Sequence, residues 1–150
     1  MPLFRRRTTE TAPLTFTVGV GDHRVAVGAG ESGCRILDDI DEYAQFIERR
    51  EAKAGARDTV GLLNAKLDYA ELVDTTVSVL VLTFEELVER GIVAPEEAPK
   101  KPALPPLPRD ISTYDYIQEA YQRARRRCEW AKQVDSQLHA LGVAVLWPET

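Results

Sequence analysis

The residues with the most explicit chemical spacing are Gly28, Gly30 and Gly33, in the stretch VAVGAGESGCRIL at 25–37. A β-branched run leads into GAGESG and an amphipathic segment follows it. That strand, glycine loop and helix order is the one that phosphate-binding loops use. Glycine lets backbone N–H groups approach an anion, and the start of the next helix favours negative charge. Two further fragments have the residue types of nucleotide chemistry. Asp58-Thr59-Val60-Gly61 reads as DxxG, and Asn64-Ala65-Lys66-Leu67-Asp68 is one insertion away from NKxD.

GAGESG resembles the phosphate loop of heterotrimeric G-protein alpha subunits, which implies Lys and then Ser after the last glycine. The Lys reaches the terminal phosphates and the hydroxyl holds magnesium. Cys34 and Arg35 occupy those places here, and neither replaces the magnesium hydroxyl. In GTPases the other two motifs lie on separate strands far apart in sequence, whereas here they nearly touch. A dinucleotide loop also needs the first strand of a parallel βαβ unit, buried on both faces. The expectation is therefore no nucleotide and no cofactor, with the glycines serving as a bend from strand to helix.

The other reactive side chains do not assemble into a catalytic set. His23 and His139 stand alone, and Cys34 and Cys128 lie in no nucleophile motif and at no metal spacing. Asp38, Asp39, Asp41 and Glu42 read as the dipole-favoured start of a helix rather than as metal ligands. Arg123, Arg125, Arg126 and Arg127 form a basic knot read as a solvated or salt-bridged helix face. Arg5, Arg6 and Arg7 form a second knot, and these three are the candidate nucleic-acid contacts. The chain is expected not to be an enzyme.

Composition narrows the class. The 150 residues carry a net charge of −5, which argues against a generally nucleic-acid-binding surface. An apolar share of 44 % is enough for a core, and the 7 % aromatic share leaves aliphatic side chains to fill it. Two cysteines are too few for a disulfide scaffold, so a reducing compartment is expected, the cytoplasm or a virion. No apolar run reaches the roughly 18 residues of a membrane span. MPLFRRRTTE has no apolar stretch behind its arginines, so no secretory signal is expected.

The elements that must position these residues follow from periodicity. LTFTVGV and HRVAVGA flank Gly21-Asp22, a two-residue hairpin signal with Gly at the first turn position. The predicted register sets Val20 opposite His23, Val18 opposite Val25, Phe16 opposite Val27 and Leu14 opposite Ala29. One face is then apolar, and the other carries Thr15, Thr17, Arg24 and Ala26. A helix is predicted over 35–54 on Ile36, Ile40, Tyr43, Ala44 and Ile47. Another is predicted over 58–90 on Leu63, Ala70, Val73, Val77, Leu80, Phe84 and Leu87. Within it, TTVSVLVLT at 75–83 is also compatible with a strand; the 3–4 spacing favours helix, either one long or two with a break near Asp74.

Residues 95–109 hold six of the nine prolines and read as an extended, polyproline-like strap. PALPPLPR within it resembles the ligands of SH3 domains, although the basic residue falls one place short: it would be needed at Pro102 or one place beyond Arg109. Asp110 and Ser112 offer N-caps for a last helix near 113–141. The tail Val143 to Trp147 is apolar and reads as a strand or a hook in need of a burial site.

The fold class expected is α+β: an N-terminal β-hairpin packed with α-helices, a proline-rich extended strap and a long C-terminal helix. The organisation expected is a basic arm over 1–12, a hairpin-plus-helices body over 13–94, a proline-rich linker over 95–110, and a C-terminal helix and apolar tail over 111–150. The hairpin-plus-helices layout of 14–94 is similar to that of some tailed-phage assembly and connector proteins. That similarity implies a non-enzymatic structural or assembly subunit, partnered by copies of itself or other subunits, with nucleic acid reached through the N-terminal arm and no membrane. Leu104, Leu107 and Trp147 are the candidate protein contacts. The alternatives are an adaptor or regulatory module that engages its partner through the strap and, disfavoured, a nucleotide-binding enzyme using the degenerate GAGESG loop.

Overall fold

The architecture comes from a computed structural model that describes residues 15–29, 36–54 and 59–146. Arg5, Arg6, Arg7, Leu14, the loop at 30–35 with Cys34, and Trp147 lie outside the described residues. In chain order the elements are β1 (Thr15–Val20), β2 (His23–Ala29), α1 (Ile36–Ala54) and α2 (Thr59–Glu89). A single 3₁₀ turn (Pro95–Glu97), α3 (Thr113–Ala140) and β3 (Val143–Leu146) complete the order. The protein is α+β: a three-stranded antiparallel sheet in the order β1-β2-β3, with three helices.

The hairpin register is Phe16 with Val27, Val18 with Val25 and Val20 with His23, as the alternation requires. Gly21 takes φ 57° at the first turn position, where a side chain would be strained. Val18, Val25 and Val27 are buried, while Thr15, Thr17, Arg24 and Ala26 face outward. The arginine of Arg90, at the end of α2, stacks over the Phe16 ring at 4.9 Å and covers its open side.

The apolar tail finds its burial site on its own chain. β3 pairs antiparallel with β2, Val145 opposite Val27 and Val143 opposite Ala29, and both valines are fully buried. β2 is thus the central strand. The core beneath it draws Ile40, Ala44 and Ile47 from α1, Val73, Leu80, Phe84 and Leu87 from α2, and Tyr121, Cys128, Val134 and Leu138 from α3.

The 75–83 segment is helical, in one unbroken α2. Its threonines explain how a β-branched run stays helical in a core. Thr76 and Thr83 are buried, and each hydroxyl donates to the carbonyl four residues back, to Leu72 O at 2.8 Å and Val79 O at 2.7 Å. The upstream part of the buried stripe differs from the expected one. Leu62, Ala65, Lys66 and Tyr69 are buried, while Leu63 and Ala70 are half-buried. Both sets have helical spacing, and α2 turns the one carrying the Tyr69 ring toward the other two helices.

α2 ends as a Schellman motif. Gly91 takes φ 72°, Ile92 N donates to Leu87 O at 2.9 Å, and Gly91 N donates to Val88 O at 3.0 Å. The strap is extended from Ala98 rather than from Pro95. Pro95 suits the first position of a helical turn, and Glu97 N donates back to Ala94 O at 2.9 Å. No helix among the described residues is long and apolar enough to cross a membrane.

Candidate functional site

Gly28 sits within β2, with Thr15 on one side and Ala144 on the other. The strand that leads into the glycine loop is therefore the middle of a wholly antiparallel sheet, not the first strand of a parallel βαβ unit. Asn64 to Asp68 lie inside α2, so the NKxD-like fragment is helix rather than a strand-end loop. Its Lys66 is buried and committed to the protein itself.

Lys66 is the centre of a polar knot where the three helices meet. Its Nζ donates to Glu51 Oε2 of α1 at 2.7 Å and to Gln118 Oε1 of α3 at 2.6 Å, and it lies 5.3 Å from the Tyr121 ring centroid. Beside it Arg125 donates to Glu48 and, at 3.2 Å, to Tyr121 Oη. The bond to Glu48 holds the Arg125 guanidinium even more firmly charged than usual. Burial raises the Tyr43, Tyr69 and Tyr121 phenols and the Cys128 thiol. Lys132 is raised by its bond to Asp41, at 2.9 Å. Each of these shifts takes a group further from neutral pH, the opposite of what activates a nucleophile or poises a base. The knot ties the three helices together. Among the described residues no group of three or more His, Cys, Asp or Glu side chains could hold a metal ion. His23 and His139 are both exposed, one at the start of β2 and the other in the last turn of α3.

The arginine knot of α3 divides by direction. Arg125 reaches Glu48, and Arg127 donates to Asp74 of α2 at 3.0 Å. Arg123 turns to the other side and donates to the carbonyl of Pro105 in the strap.

The strap is the second arrangement. Ser112 caps α3 by accepting from Asp115 N at 3.1 Å, and α3 then runs back alongside the proline-rich segment. One face of α3, containing Ile117, Tyr121, Ala124, Cys128 and Ala131, is buried in the core. The adjacent face, stepping through Glu119, Arg123, Arg126 and Trp130, meets the strap. A polyproline-like backbone makes no internal hydrogen bonds, so its carbonyls need outside donors. Arg123 supplies one at Pro105, and Trp130 Nε1 supplies another at Lys100 O, at 2.7 Å. Four residues, 101–104, lie between these two pins, within a stretch of ten, 99–108, that runs without a bend.

Leu104 and Leu107 are half-buried and, with the more exposed Pro105, Pro106 and Pro108, line a shallow groove of about 220 Å³ against Glu119, Gln122, Arg123 and Arg126. They are thus brought together with α3, while Trp147 and the Arg5 to Arg7 knot lie outside the described residues. Trp130 was not legible as a strap anchor from periodicity alone. The usable signal was its seven-residue spacing from Arg123 on a face flanking the apolar stripe. The chain matches no protein-family model, no curated protein and no solved structure.

Proposed function

We propose that the chain is a non-enzymatic interaction subunit of a larger protein assembly, and that the strap over 98–110 is the element it presents to its partner. A tailed-phage connector or tail-assembly component is one such setting. The observation that carries this reading is a contrast within the strap. Its backbone is pinned to α3 at Lys100 and Pro105, yet Lys100, Ala103, Pro105, Pro106, Pro108 and Arg109 all face solvent. Five prolines in the ten residues 99–108 hold the segment extended. An ordered, exposed extended segment is what a partner groove binds at low entropic cost.

The test is native mass with identification of co-purifying protein. The wild-type chain is compared with a variant in which 99–108 is replaced by an equal length of Gly and Ser. The expected result is a particle heavier than the 16.8 kDa chain, reduced to the single chain by the replacement, with circular dichroism unchanged. A folded variant that keeps its full particle mass, or a wild-type chain that is always alone, overturns the reading.

A further inference from the structure

The chemistry of the strap specifies more than a contact. Proline fixes φ at Pro99, Pro102, Pro105, Pro106 and Pro108, and each residue before a proline is pushed toward extended geometry. Only Lys100 and Ala103 escape both constraints between 98 and 108. At the segment's start Ala98 has φ −68° and ψ 133°, close to polyproline II values. A chain of that form has three residues per turn and so three edges.

From Leu104 to Arg109 exposure follows those edges, whereas upstream Lys101 on the leucine edge is exposed and Pro102 on the next edge is half-buried. Leu104 and Leu107 lie on one edge and are half-buried against α3. Pro105 and Pro108 lie on the second, and Pro106 and Arg109 on the third, all four exposed. Domains that read polyproline II lay aromatic rings against two adjacent edges and leave the third outside. Here the third edge is the one already seated on α3. The charge is complementary to one kind of groove. Between 98 and 109 the strap carries Lys100, Lys101 and Arg109 and no carboxylate, on a chain whose net charge is −5.

We infer that Pro105 to Arg109 is a preformed ligand for the aromatic-lined, acid-rimmed groove of a partner's proline-recognition domain. α3 is the platform that holds it in binding shape. The inference rests on the strap being the presented element and names the class of partner. Pinning at Lys100 and Pro105 lowers the ordering cost that a free proline-rich segment meets on binding. Arg109, next to Pro108 and one place short of the SH3-ligand position, supplies a positive charge to the groove's acidic rim.

The test uses the intact chain, titrated against a panel of isolated SH3, WW and EVH1 domains by fluorescence anisotropy. The expected result is a saturable one-to-one complex with at least one of them. Pro105→Ala with Pro108→Ala weakens it by about tenfold or more, since both prolines leave one edge. Arg109→Glu weakens it more at low salt than at high salt. Arg123→Ala removes a pin without touching the exposed edges and weakens binding about threefold to tenfold through ordering cost alone. Thermal melting confirms that each variant is folded, and Arg109→Glu carries the test if the proline pair is not. Binding by none of the domains, or equal binding by the proline pair and Arg109→Glu variants, overturns the inference. If assembly still depends on the strap in that case, the partner reads it by other chemistry, a second copy of this chain included, and the broader reading stands. If replacing the strap leaves the native particle unchanged, the broader reading fails instead.

Discussion

Lys66 and Glu51 form a 2.7 Å ion pair whose ends lie in different media: the lysine is 2 % exposed and the glutamate side chain 46 %. The buried partner is the cation, held by a carboxylate that water also reaches. The two ends of one bond are therefore unequal in what their loss does.

Lys66→Met keeps most of the volume, removes the buried charge and leaves Glu51 free to hydrate. The expected change in unfolding free energy is within about 1 kcal/mol. Glu51→Ala instead strands a buried ammonium on Gln118 and the Tyr121 ring. The expected loss is about 2–3 kcal/mol, below the full cost of orphaning a buried charge because Gln118 remains. Urea denaturation of both variants checks the order, and a larger loss in Lys66→Met refutes it.

Tyr69 presents the opposite case. Its hydroxyl is buried and no partner meets it at hydrogen-bonding geometry; the nearest polar neighbour is the Cys128 thiol, at best a weak partner. Tyr69→Phe keeps the ring contact with Tyr121, 5.1 Å between centroids, and removes the unsatisfied group. It is expected to stabilise by about 0.5–1 kcal/mol at pH 7. The pH dependence has a definite sign. Burial raises the Tyr69, Tyr121, Tyr43 and Cys128 acids, so the folded state keeps protons that the unfolded chain releases. Stability is full below the unfolded values, about 8.5 for Cys and 10 for Tyr, and falls as pH rises through them. Urea midpoints measured from pH 7 to 10.5 are expected to show that fall, and a shallower one in Tyr69→Phe.

Val143 and Val145 belong to the sheet, so their replacement acts on folding. Val145→Ser puts a hydroxyl opposite Val27 in a fully buried layer. The expected cost is about 2–3 kcal/mol, from lost methyl burial plus an unpaired polar group. Thr17→Ala, on the outward face of the edge strand β1, is expected to change stability by less than about 0.5 kcal/mol. Phe16→Ala falls between them at about 2 kcal/mol, because the ring is half-buried under Arg90. Chemical denaturation of the three variants in parallel gives the ranking. Equal losses at Val145 and Thr17 would show that the two faces are misassigned.

What was legible in the sequence was local. The Gly21-Asp22 turn set the hairpin register, and 3–4 spacing set α1, α2 and α3, because both depend on neighbours within a few residues. The pairing of β3 with β2 spans more than a hundred residues, and an apolar run such as Val143 to Leu146 carries no mark of its partner. The polar knot was hidden for a related reason. Lys66 falls at helical spacing between Leu62 and Tyr69, and an ammonium there reads as surface until Glu51 and Gln118 are brought to it. The proline content announced the strap. Its attachment was only half legible: the seven-residue spacing of Arg123 and Trp130 marked a face, but the backbone carbonyls they hold have no sequence signature.

That attachment gives the last prediction. Trp130 Nε1 holds the Lys100 carbonyl and Arg123 holds that of Pro105, so the strap's order depends on two side chains that contribute little else to the sheet. Trypsin has two places to report on it, the Lys100–Lys101 and Arg109–Asp110 bonds, while Lys101 is shielded by the following Pro102. Trp130→Phe keeps most of the ring packing and removes the N–H donor, and Arg123→Ala removes the second pin. Each loses one hydrogen bond of about 1 kcal/mol, enough to raise the open population of the strap roughly fivefold. Both cut sites are expected to be cleaved correspondingly faster in either variant and faster still in the double, with the global melting transition shifted by only a few degrees. Mass spectrometry of a digestion time course identifies the cuts. Unchanged rates at both bonds would mean that the pins do not hold the strap. Accelerated cleavage throughout the chain would mean that Trp130 and Arg123 support the core instead.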